Sequence, residues 1–177
     1  PIAANAKVPC LHVDGFQIWE SLAIAEYLAE QHPQLWPADT MARARARSIS
    51  AEMHSGFANL RKAMPMNLKF TLKGKQPDAV VQRDIDRIVQ IWTEARTRFA
   101  TPDGPYLFGA FSVADGMYAP IAWRFHAYNV PLPPVAAAYR DTLLAHPAMR
   151  EWYAAALQET EAHAHYDDLA KEYGGPR

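Results

Sequence analysis

Two short stretches near the start of the 177-residue chain have the residue types and spacing to hold a small polar ligand. The first is Lys7-Val8-Pro9, directly ahead of an apolar run. A Val-Pro bond tolerates the cis form at modest cost, and a cis Pro9 exposes the N–H and C=O of Val8 at a strand edge. An extended peptide can pair with such an edge as an added strand. The second stretch is Glu20-Ser21, at the junction of a strand-like run and a helical pattern. There the Ser21 hydroxyl and the free N–H groups of a helix start can hold a carboxylate, while Glu20 offers a counter-charge to an amine. Together the two stretches describe a pocket for a small zwitterionic peptide. Taken alone, Glu20-Ser21 equally fits an ordinary strand end and helix cap.

The elements that position these residues follow from hydrophobic period. Val8 to Val13 reads as a strand, Asp14-Gly15 as a turn and Phe16 to Trp19 as a second strand, an antiparallel hairpin. The period then changes, and Leu22, Ala25, Leu28 and Ala29 predict a helix capped by Ser21 and reaching about Gln31. Residues 33–40 (PQLWPADT), with two prolines and no period, read as a linker. Residues 1–32 thus form a small α/β unit and residues 41–177 an all-α unit of about five helices. Ala46, Ile49, Met53, Phe57, Leu60 and Met64 predict one long helix capped by Asp39 or Thr40, and Pro65 ends it. Val81, Ile85, Ile88, Trp92, Ala95 and Phe99 predict a second, with Pro77 at its first position. Ser112 and Asp115 read as a capping box, Pro120 as a kink, and 134–145 and 147–160 as two shorter helices. Residues 101–105 read as a tight turn and the tail 161–177 as polar and frayed.

Composition excludes several classes. Eighteen Lys and Arg against 19 Asp and Glu leave no basic excess for nucleic acid. No apolar run approaches the ~20 residues of a membrane helix. A lone cysteine, Cys10, leaves no partner for an intramolecular disulfide and fits a reducing, cytoplasmic setting. Cys10 reads as a packed strand residue. Arg43, Arg45 and Arg47, spaced by two, fan around a helix and read as solvated surface. His163, His165, Asp167 and Asp168 lack a framework to fix a metal, and no metal site is expected.

KVPCL, VDG, WESLAIAEYLAE, LWP and the SVADGMYAPI helix, in this order, resemble the glutathione transferase family, and AEMHSGFANLRKAMPMN resembles its bacterial members. The resemblance runs from the middle of a thioredoxin-like domain through the all-α C-terminal domain. It implies glutathione as co-substrate, Pro9 as the cis-proline, Val8 as backbone partner of the cysteinyl unit, and Glu20 and Ser21 at the γ-glutamyl end. It implies a small hydrophobic electrophile as second substrate, with His54, Phe57, Arg61, Trp123 and Arg124 as candidates for its pocket. Phe57 belongs to an apolar stripe and Trp123 suits packing, so both equally fit the core. A homodimer through the first two long helices is implied too. The family's glycine ahead of the Lys-Val-Pro is Ala6 here. The chain opens at Pro1 inside a loop, so a strand–helix–strand unit of roughly 30 or more residues carrying the thiol-activating Ser, Tyr or Cys is expected upstream. Three readings follow: a glutathione-conjugating enzyme, a non-catalytic binding or dimerisation module of the same fold, or an inactive truncated fragment.

Overall fold

A computed structural model of the chain describes residues 5–100, 104–161 and 164–176. Strands β1 (Cys10–Val13) and β2 (Phe16–Trp19) pair antiparallel, with Val13 opposite Phe16 across Asp14-Gly15. Both turn residues have positive φ, 47° and 86°, the pairing that matches strand twist in a two-residue hairpin. Helix α1 (Ser21–Gln31) follows directly. Ser21 is its first helical residue and Glu20 the cap residue, contrary to the expected Ser21 cap. Glu20 has φ 69° and ψ 122°, and its side chain makes no capping bond.

The helical part opens with α2 (Thr40–Ser55), capped by the Asp39 carboxylate, which accepts from the Ala42 N–H at 2.8 Å. The single long helix expected to Met64 is two helices. Gly56 ends α2, Phe57 takes a left-handed conformation (φ 59°), and α3 (Ala58–Ala63) resumes. The apolar stripe keeps phase across the break, so Met53, Phe57, Leu60 and Met64 are still buried and periodicity alone conceals it. A Cβ on Gly56 would lie 2.6 Å from the Glu52 carbonyl oxygen, which fixes the break at a glycine.

Helix α4 (Ala79–Arg98) begins two residues later than the Pro77 start, because Asp78 accepts from both the Val80 and Val81 N–H groups. Its stripe of Val81, Ile85, Ile88, Trp92 and Ala95 is buried. Trp92 meets Tyr118, Phe125 and Tyr139 at ring-centroid distances of 6.0, 5.3 and 4.9 Å. Helix α5 (Val113–Ala127) packs on α2 and on α6 (Pro134–Ala145), which also touches α4, and α7 (Pro147–Gln158) packs on α6.

Within the expected frayed tail, residues 164–176 are structured. Helix α8 (Ala164–Tyr173) and β4 (Gly175–Pro176) return to β3 (Phe70–Thr71), with Phe70 opposite Pro176. Leu169, Ala170 and Tyr173 make one apolar face packed on the core, a short helical pattern inside a polar segment. Lys75 adds a cation over the Tyr173 ring at 4.6 Å. The three arginines of α2 are not plain solvated surface: Arg43 donates to the Pro37 and Ala38 carbonyls, Arg45 to Glu94 and Arg47 bidentately to Glu26 of α1. Their fan lets each reach a different element. Residues 101–103 of the expected turn lie outside the described residues.

One buried carboxylate anchors the bundle. Asp115 accepts from the Leu107 N–H (3.1 Å), the Ser112 N–H (2.9 Å) and hydroxyl (3.0 Å), and the Tyr139 hydroxyl (2.9 Å). Burial pushes its carboxyl above the usual range, and these donors pull the other way. Removing the acceptor strands several buried donors, each at about 1–3 kcal/mol. Asp115→Ala is therefore expected to lose about 3–5 kcal/mol in urea denaturation, and Tyr139→Phe about 1–2 kcal/mol. A loss under about 1 kcal/mol for Asp115→Ala would contradict this anchoring role.

Candidate functional site

Hairpin register brings the two candidate stretches to one end of the molecule. Cys10 pairs with Trp19, so Val8-Pro9, just before β1, runs beside Glu20-Ser21, just after β2. The Val8–Pro9 peptide bond is cis, and the Val8 side chain is 88% exposed. The first bond of α1 runs from the Ile24 N–H to the Glu20 carbonyl at 3.0 Å. The N–H groups of Ser21, Leu22 and Ala23 precede it, with no side-chain cap and no acidic residue in the first turn. This is a helix start with donors to spare.

Glu20 sits in a backbone region that side chains rarely adopt, a conformation costing about 1–3 kcal/mol and typical of residues held for a function. It turns toward α2, where its Oε2 meets Nε2 of His54 at 3.1 Å. The contact requires the proton on that ring nitrogen, and the pair joins the α/β part to the bundle. Both side chains remain over a third exposed, so the bond positions Glu20 and adds little to stability.

Beyond Ser21 lies a cleft of about 340 Å³. Met53 and His54 of α2, Arg61 of α3 and Met117, Pro120 and Arg124 of α5 line it with Ser21. The break at Gly56-Phe57 separates the α2 and α3 residues that line it. The Arg61 guanidinium donates back to the carbonyls of Met53 and His54, two of the orphan acceptors at the end of α2. From α4, Asp84 accepts the Leu60 N–H at 3.0 Å and steadies the start of α3. Arg124 donates to the Met64 carbonyl (3.0 Å) and to Pro120 (3.3 Å). Burial, then the nearby charge of Arg61, lowers the Arg124 pKa below its ordinary value. Burial pushes the Tyr128 hydroxyl up; it donates to the Pro65 carbonyl at 3.0 Å. Pro120 has no N–H to offer the Gly116 carbonyl, so α5 lacks one helical bond where it lines the cleft.

Of the sequence candidates, Ser21, His54, Arg61 and Arg124 meet at this cleft. Phe57 and Trp123 do not line it. Phe57, 8% exposed, packs in the core, and Trp123, 5% exposed, stacks on Tyr153 of α7 at 5.1 Å. Helical phase alone could not separate Trp123 from Arg124, one position apart. Met53 and Met117 were missed as lining residues because their spacing reads as core. Cys10 is half-buried, its Sγ 3.6 Å from His12 Nε2. His163 and the side chain of His165 lie outside the described residues. Among the described residues, no group of three His, Cys, Asp or Glu could hold a metal ion, and no helix is long and apolar enough to cross a membrane.

Two family models match separate parts of the chain. A model described as glutathione S-transferase, N-terminal domain, matches residues 1–30, and one described as glutathione S-transferase, C-terminal domain, matches 78–155. A Caenorhabditis elegans protein named "Probable maleylacetoacetate isomerase" is 35% identical over 132 residues, 73% of this chain and 60% of that protein. The chain thus spans less than two thirds of that relative's length. A glutathione transferase homolog from Burkholderia, solved with bound glutathione, is 27% identical at TM-score 0.63, covering 89% of this chain and 76% of that one. Glutathione S-transferase 1-6 from Anopheles dirus, at 18% identity and TM-score 0.64, covers 90% and 76% and shares the fold. A thioredoxin-like N-terminal part followed by an all-α C-terminal domain is common to these matches.

The Gly56 break is the local feature the cleft most requires. Gly56→Ala places a Cβ against backbone that cannot yield cheaply, so we expect a loss of about 1–3 kcal/mol in thermal or urea denaturation. An unchanged stability would mean that α2 and α3 do not need the break at this residue.

Proposed function

The chain belongs to the glutathione S-transferase family, and on that premise we propose that it binds glutathione along Val8, Glu20 and Ser21 and presents the thiolate to an electrophile in the adjoining cleft. The observation that carries the reading is the uncapped start of α1 at Glu20-Ser21, next to the cis Val8–Pro9 strand edge and opening onto the cleft. The bound glutathione of the Burkholderia homolog supports it.

In this reading the γ-glutamyl carboxylate lies at the helix start, accepting from the Ser21 hydroxyl and the free N–H groups. The amine of the same unit meets Glu20, which His54 holds in place. Val8 supplies the N–H and C=O that pair with the cysteinyl unit as a short added strand. The sulfur then faces the cleft beyond Ser21. Its lone pair forms a C–S bond to the electrophilic carbon, the leaving group departs with its bonding pair, and the thiol proton goes to solvent. No residue of 1–177 is assigned to thiol activation. We take 1–32 as part of the glutathione-binding domain and 41–177 as the helical domain of a cytoplasmic homodimer.

The relative named as a maleylacetoacetate isomerase favours a second outcome of the same adduct. Addition of the thiolate to a conjugated double bond permits rotation, and expulsion of the thiolate then regenerates glutathione. Both outcomes use the same binding residues.

Calorimetric titration with glutathione tests the reading. Ser21→Ala and Glu20→Gln are each expected to weaken binding by about 1–3 kcal/mol, the usual loss of a charge-assisted hydrogen bond. Equal affinity in both variants and the unaltered chain would refute this site. Undiminished binding with no turnover of any electrophile by the whole protein would instead favour a non-catalytic module.

A further inference from the structure

We propose that Arg61 and Arg124 form an anion-binding end of the cleft that takes the carboxylate of the second substrate, an electrophile carrying its carboxylate on an apolar body. The proposal rests on the reading of Glu20 and Ser21 as the glutathione end.

Two guanidinium groups line one half-buried cleft, from α3 and from α5. Among the described residues, neither has a carboxylate within ion-pair distance, whereas Arg45, Arg47 and Arg87 each hold a glutamate. The only acid engaged at the cleft mouth, Glu20 among the described residues, is paired with His54 at the Ser21 end. The site therefore combines an acid already paired with His54, a helix start, and two cations that no carboxylate neutralises.

Neither arginine is free to swing away. Arg61 is anchored through Nη2 to the Met53 and His54 carbonyls, and Arg124 through Nε and Nη1 to Met64 and Pro120. A guanidinium has five N–H donors, so Nε and Nη1 of Arg61 and Nη2 of Arg124 keep hydrogens for a ligand. Like charges held together out of bulk water are costly without a counter-anion; burial first, and then the charge of Arg61, lower the Arg124 pKa. A planar carboxylate matches the guanidinium fork and relieves both costs. Met53, Met117 and Pro120 give the rest of the wall an apolar surface, and about 340 Å³ suits a body the size of one substituted ring.

The test is calorimetric titration of the full chain with glutathione, S-benzylglutathione and S-(4-carboxybenzyl)glutathione. The carboxybenzyl conjugate is expected to bind at least about tenfold tighter than the benzyl conjugate, with the ratio shrinking as salt is raised. In Arg61→Gln and Arg124→Gln the ratio should fall toward one while affinity for glutathione itself stays within about twofold, since only the carboxylate partner is removed. A ratio near one in the unaltered chain overturns the proposal. So does a loss of glutathione affinity with the ratio intact, which would mean that the arginines hold glutathione's own carboxylate. Should a Gln variant fail to fold by circular dichroism, Arg124→Lys keeps the charge, and it must retain part of the preference while losing the bidentate share. If glutathione and both conjugates fail to bind, the reading of Glu20 and Ser21 fails separately. Benzoate and benzamide, compared as thermal stabilisers without glutathione, then decide the subsite. Stabilisation by benzoate alone, abolished in Arg124→Gln, supports it, and equal effects of the two overturn it.

Discussion

Four donors converge on the buried Asp115 carboxylate, and the α5 wall of the cleft traces back to that convergence. The Ser112 contacts fix where α5 begins, the Leu107 contact holds the loop before it, and the Tyr139 contact brings in α6. With its start pinned, α5 directs Met117, Pro120 and Arg124 to the cleft. It also places Tyr118, whose hydroxyl donates to the Ile49 carbonyl of α2 at 3.1 Å. His54 lies on the turn of α2 beyond that bond. A folding element far from any ligand thus sets the distance between the two walls of the site.

The opposite wall depends on a helix that stops. An uninterrupted helix through Gly56 would satisfy its own carbonyls and leave Arg61 no reason to fold back. The break frees acceptors at Met53 and His54, and Arg61 takes them while its remaining donors stay available. Arg124 does the same with the Met64 carbonyl. Backbone acceptors hold both cations without neutralising them. That is the physical difference between these arginines and Arg47 or Arg87, whose bidentate glutamates satisfy charge as well as hydrogen-bonding geometry.

Much of this was legible in the sequence, and the failures have identifiable causes. Asp14-Gly15 specified the hairpin through two positive φ angles, and the stripe from Val81 to Ala95 specified α4 because its period is strict. Ser112 and Asp115 announced the start of α5. The break at Gly56 was invisible because Phe57 enters the core through a left-handed residue without changing the phase of the apolar pattern. Helix α8 was hidden by polarity, since among its described side chains it is Leu169, Ala170 and Tyr173 that pack on the core. Glu20 was recognised by type, but its pairing with His54 links positions 34 residues apart on separate elements, which no local pattern encodes. The segregation of Trp123 from Arg124 depends on which neighbour each faces, and periodicity cannot resolve adjacent residues.

The central claim is that the start of α1, the Val8 strand edge and the cleft act as one glutathione site. Backbone amide shifts followed by NMR during glutathione titration test it most directly, because they locate the ligand without relying on turnover. The account predicts saturable shifts concentrated at Val8, Ser21, Leu22, Ala23 and His54, with little change in the α6–α8 region. Saturable shifts centred elsewhere, or none at millimolar glutathione, would contradict it.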